Sequence, residues 1–181
     1  MSTCRARPIN RSLISGIVLT LVVACAPSSP STSVVSAPSS APATEQVAGG
    51  CASTQVMSGP LPGWSQVAAP SIPVRTWALG QPADLVIVLW TWPLHARQWP
   101  SGSGEKTMFI VRSGYPQPLA VFASKVGVSG PVIAFDTNVA APGAIYTTGL
   151  ALPEPGCWHL ALAWGKNKSV LDLQAVSTEG A

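Results

Sequence analysis

The stretch Cys157-Trp158-His159-Leu160-Ala161-Leu162-Ala163-Trp164 decides the fold. Its large apolar residues, Trp158, Leu160, Leu162 and Trp164, occupy every second position. In an extended chain they share one face, while Cys157, His159, Ala161 and Ala163 share the other. Gly165-Lys166-Asn167 then supplies a turn. Beyond it, residues 169–176 resume the alternation, with Leu171, Leu173 and Ala175 on one side and Asp172 and Gln174 on the other. The two runs read as an antiparallel hairpin whose large residues face a core.

Upstream, the same period recurs in short runs. Residues 74–79 form one candidate strand. Residues 84–94, DLVIVLWTWPL, form a longer one. In it Leu85, Ile87 and Leu89 point one way and Val86, Val88, Trp90 and Trp92 the other. Apolar residues on both faces mark a central strand, and Pro93 limits its far end. Residues 107–112 alternate Met108, Ile110 and Arg112 against Thr107, Phe109 and Val111. Weaker runs lie at 119–123, 132–135 and 145–152. Turn chemistry separates them, as in Gly80-Gln81-Pro82, Ser129-Gly130-Pro131 and Pro153-Glu154-Pro155-Gly156. No window carries a convincing 3.6-residue stripe and no internal repeat is visible. The expectation is an all-β, antiparallel β-sandwich over residues 51–178.

At the other end of the chain, Arg5, Arg7 and Arg11 precede an apolar run at residues 13–23. That run is too short to cross a bilayer, which takes about twenty residues, and is the length of a secretory h-region. It ends in Val22-Val23-Ala24-Cys25, which resembles the bacterial lipobox. The resemblance implies a signal peptide at residues 1–24, cleavage before Cys25, and a diacylglycerol on its thiol. The peptidase needs small side chains before the cut, and Ala24 meets that need. The competing expectation is an ordinary signal peptide cut near Ala24 or Ala26. Residues 26–50 are Ala, Pro, Ser, Thr, Val, Gln and Gly with one charged residue, Glu45. Such a composition cannot bury enough surface to offset its ordering entropy, so residues 25–50 are expected to be a lipidated cysteine and a disordered linker.

Export changes the arithmetic of charge and cysteine. The formal charge of +3 is carried entirely by the three leader arginines. The remainder is neutral, and no basic stripe is left for a nucleic acid. Of four cysteines, Cys4 leaves with the leader and Cys25 takes lipid. Cys51 and Cys157 remain and are expected to pair outside the cytoplasm; two free thiols are the alternative. Because Cys157 lies opposite Trp158, the bridge should staple the segment around Cys51 to the outside of a sheet. A buried bridge between sheets, as in antibody domains, is the competing geometry.

The run Tyr146-Thr147-Thr148-Gly149-Leu150-Ala151-Leu152-Pro153-Glu154-Pro155-Gly156-Cys157-Trp158 resembles a PxPGCW signature of small bacterial secreted proteins and lipoproteins. Their domains are immunoglobulin-like β-sandwiches. The resemblance implies that fold and carries over no catalytic residue.

Residues that bear chemistry are few. His95 and His159 are the only histidines, and a zinc or copper site usually draws on several His or Cys ligands. Cys157-Trp158-His159 suggests a blue-copper ligand set, but no methionine follows it. No Gly-x-Ser-x-Gly elbow is present, and the acids are scattered singly. No catalytic residue, metal ligand or cofactor is therefore assigned. Of the seven tryptophans, Trp90 and Trp158 are expected in the core. Trp92, His95, Arg97 and Trp99, at a strand end and in a loop, form a candidate recognition patch for an envelope protein, a peptide or a glycan. Packing of that loop onto the sheet is the alternative. The expected whole is a lipid-anchored binding or structural module of the cell envelope, facing the extracytoplasmic side of the cell membrane or outer envelope. A small-ligand or metal-handling envelope protein, or a hydrolase, are the other readings.

Overall fold

The computed structural model describes residues 43–72, 75–96, 104–140 and 144–177. They all fall in one unit, Ser39–Ala181. In chain order the elements are β1 (Glu45–Val47), β2 (Val56–Gly59), α1 (Gly63–Ala68), β3 (Arg75–Leu79), β4 (Leu85–Leu89), β5 (Leu94–His95) and β6 (Glu105–Val111). There follow β7 (Leu119–Lys125), β8 (Ile133–Phe135), β9 (Asn138–Ala140), β10 (Ile145–Leu150), β11 (Gly156–Trp164) and β12 (Asn167–Val176). Among the described residues no helix is long and apolar enough to cross a membrane.

The expected all-β sandwich is what the chain adopts. One sheet has the order β1-β2-β3-β4-β6-β10-β9 and the other β5-β12-β11-β7-β8. The CWHLALAW hairpin forms as its alternation dictates. Trp158 pairs with Leu173 and Leu160 with Leu171, and all four side chains are buried. Facing them across the sandwich are Leu85, Ile87 and Leu89 of β4, Phe109 and Val111 of β6, and Tyr146 and Leu150 of β10. The opposite positions of β4 and β6, Val86, Val88, Met108 and Ile110, are buried too, in a second cluster. Trp64 and Ala68 of α1, with Leu61, Ala69 and Ile72, cover that face. This explains why β4 is apolar on both sides: it lies in the middle layer, between helix and sheet.

Several expectations need correction. The strand read over residues 84–94 stops at Leu89. Bends at residues 90–93 carry the chain to the other sheet, where β5 lies parallel to the end of β12. One of the ladders is thus parallel. Residues 45–50, read as the end of a disordered linker, are paired instead. Glu45, Gln46 and Val47 pair with Ser58, Met57 and Val56, and Gly49 accepts a backbone hydrogen bond from Gln174 at 2.9 Å. Backbone pairing of this kind asks for no apolar period, so composition hides it. The helix α1 was also unforeseen. At six residues it is under two turns, too short to show a stripe.

Cys51 and Cys157 form a disulfide with a Cα–Cα distance of 6.0 Å, closing a separation of 106 residues. Cys157 alternates with buried Trp158 and is half-buried, so the bridge is the outer staple. It pins residues 49–54 along β12. There the Asp172 amide donates to Thr54 Oγ1 at 2.7 Å, and the Cys51 amide donates to the Asp172 carbonyl at 3.4 Å.

Candidate binding surface

The four residues of the expected recognition patch do not all come into view. Arg97 and Trp99 lie outside the described residues, as does Cys25. Trp92 is half-buried and packs against the main core. Its Nε1 donates to the Ala48 carbonyl at 3.0 Å. Its ring presses so close on Gly49 that a Cβ there would meet Cζ2 at 2.0 Å. Trp92 therefore clamps the N-terminal strap. His95 sits in β5 with Nδ1 3.8 Å from the carboxylate of Glu105, which is only 6% exposed.

Trp90 corrects the sequence reading. It was expected in the core, yet it is 37% exposed. The reason is the early end of β4. Val86 and Val88 point to the outer face of the seven-stranded sheet, and Trp90 continues their alternation one step past the apolar cluster on that face. Arg75 and Lys106 stand two residues before Trp77 and Met108, both in the same cluster. They share the outward face for the same reason. Register then brings the three together: Thr76 pairs with Leu89 and Leu89 with Thr107. The Arg75 Cζ lies 4.7 Å and the Lys106 Nζ 5.0 Å from the Trp90 ring centroid, well placed for cation–π attraction. Among the described residues Lys106 makes no ion pair; Arg112 and Lys125 are matched to Asp84 and Glu154.

The row continues. Lys106 pairs with Gly149 of β10, and Thr147 pairs with Asn138 of β9. A shallow depression of about 360 Å³ lies here, lined by Gly104, Lys106, Asn138, Thr147, Thr148 and Gly149. Two glycines make it possible. A Cβ on Gly104 would stand 2.4 Å from the backbone of Leu150 and Ala151, and one on Gly149 would stand 3.1 Å from the Gly104 nitrogen. Sequence reasoning missed this site because its parts come from five strands, β3, the end of β4, β6, β9 and β10. The only local signal was a Trp beyond the last residue of an apolar run.

Two other places carry chemistry. A cleft of about 570 Å³ opens beside β8 and β10, lined by Ile133, Phe135, Ala151 and Pro153 with Asp136 and Thr148. On the outer face of the five-stranded sheet, His159 Nδ1 lies 2.8 Å from Asp172 Oδ1. Ser124 is the register partner of His159 on the other side, which aligns Ser, His and Asp across three strands. Among the described residues no hydrogen bond joins the Ser124 hydroxyl to the imidazole. Among the described residues no group of three or more His, Cys, Asp or Glu side chains is placed to hold a metal ion. Among the described residues, Tyr146 is pushed above its ordinary pKa by burial. Its hydroxyl donates to the Gln117 carbonyl at 2.6 Å. No protein family, no curated protein and no solved structure matches the chain.

Proposed function

We propose that the protein is a lipid-anchored, extracytoplasmic binding module of the cell envelope and that it is not catalytic. The observation that carries the reading is an exposed, cation-flanked tryptophan on a disulfide-stapled domain. The Cys51–Cys157 bridge fits an oxidising compartment, as the lipobox-like Val22-Val23-Ala24-Cys25 implies. Two acyl chains at Cys25 anchor stably where one would be marginal. The test is the intact mass of the protein recovered from its own membranes, before and after reduction. The expected species starts at Cys25, carries a diacylglycerol and gains two hydrogens on reduction. A soluble, unlipidated species would overturn the anchor.

A second reading is favoured by the cleft beside β8. Its volume of about 570 Å³ lies in the range of small-molecule sites, and its apolar walls with one carboxylate suit an apolar ligand bearing an amine or hydroxyl. Native mass spectrometry of the purified protein would reveal such a ligand as a co-purifying adduct. If only the bare protein mass appears, that reading fails.

A further inference from the structure

We infer that the row Arg75–Trp90–Lys106, continued by Thr147 and Asn138, binds an anionic polysaccharide. The inference rests on the reading of the protein as an envelope binding module and names its ligand class.

Three physical features carry it. The first is charge. Two cations are held within about 5 Å of one indole centroid. The ring attracts both, and among the described residues Lys106 makes no ion pair, so a carboxylate or phosphate beside Lys106 would find an unmatched charge. The second is the exposed ring itself. With Arg75 and Lys106 beside it, Trp90 still keeps 37% of its surface in solvent. A rigid, amphipathic indole offers contact area at low entropic cost. The third is the lining beyond Lys106. Asn138 and Thr147 offer amide and hydroxyl groups beside the glycine-floored depression, which matches a ligand rich in hydroxyls.

Shape selects a polymer over a small molecule. The depression is shallow, and the row crosses β3, the end of β4, β6 and β10 in register. With strands about 4.8 Å apart, this amounts to about 15 Å of continuous surface. A chain laid across the strands would meet cation, ring and cation in turn, with the Thr147 hydroxyl two residues along β10 from Gly149, the register partner of Lys106. A nucleic acid would ask for more positive charge than two side chains supply.

The test uses the full-length protein in detergent and three probes: polygalacturonate, neutral dextran of similar length, and vesicles containing anionic phospholipid. Polygalacturonate should bind, and more weakly as salt rises. Lys106→Gln and Trp90→Ala should each weaken binding about fivefold or more, as residues central to a contact do. Lys166→Gln, the same charge change in the exposed turn between β11 and β12, should leave it unchanged. Lys106→Glu provides a stronger charge test, and thermal melting shows that each variant is folded. Absence of polygalacturonate binding, equal binding of dextran, equal weakening in Lys166→Gln, or binding of the vesicles alone would each overturn the inference. Because the anchor is read separately by mass, failure here leaves that reading standing.

Discussion

The tryptophans show how one residue type takes different tasks from its surroundings. Trp164 is fully buried, and its Nε1 donates to the Ser113 carbonyl at 2.7 Å. Trp158 is buried with its Nε1 on the Glu154 carbonyl at 2.9 Å. Trp92 clamps the strap and Trp90 faces solvent. Truncation should separate them. Trp164→Ala should cost about 3–5 kcal/mol of stability, the range for large core aromatics. Trp90→Ala should cost under about 1 kcal/mol. Urea unfolding of the two variants checks this; equal losses would mean that Trp90 is structural. A second prediction concerns Tyr146, whose folded pKa is raised because burial disfavours the phenolate. Its contribution is fully present below the unfolded value of about 10 and is lost as pH rises through the higher folded value. The unfolding free energy of the protein should therefore fall more steeply above pH ~10 than that of Tyr146→Phe. Parallel slopes would refute the assignment.

At the scale of elements, β11 and β12 were legible to within two residues at each end, because alternation is a property of the backbone itself. Their outer faces were legible as well, which is why the side of the sheet carrying the disulfide could be expected from Cys157 alone. The strap at residues 49–54 was not legible. It is held by backbone hydrogen bonds to Asp172 and Gln174 and by Thr54, none of which leaves a periodic trace. The bridge closes a long loop, so the double variant Cys51→Ala/Cys157→Ala should lose about 4–5 kcal/mol in the chain-entropy account. Reduction of the wild-type protein should lower its unfolding free energy by a similar amount, read by urea unfolding. A double variant as stable as the oxidised protein would show that the strap is held by its hydrogen bonds alone.

For the whole molecule, the sandwich plus α1 makes a middle sheet that is apolar on both faces. The domain has a sharper N-terminal limit than composition suggested. A chain starting at Ala43 should keep the melting temperature of the full domain, since β1 and the strap remain. A chain starting at Ala52 loses β1, the strap and the disulfide together, and should melt well below it. Circular dichroism of the two would check the limit; equal melting temperatures would restore the boundary at residue 50.

Legible along the chain were the strands of the last hairpin, the inward set Trp158, Leu160, Leu162 and Trp164, the double-sided burial of residues 85–89 and the expectation that Cys51 pairs with Cys157. Each follows from a short-range rule: side-chain alternation along an extended backbone, or the scarcity of thiols. The switch of the chain between sheets after Leu89, the covering helix and the exposure of Trp90 beside Arg75 and Lys106 were decided only by the tertiary structure. Exposure depends on what packs from strands distant in sequence, and a tryptophan's neighbours across a sheet are not written beside it in the chain.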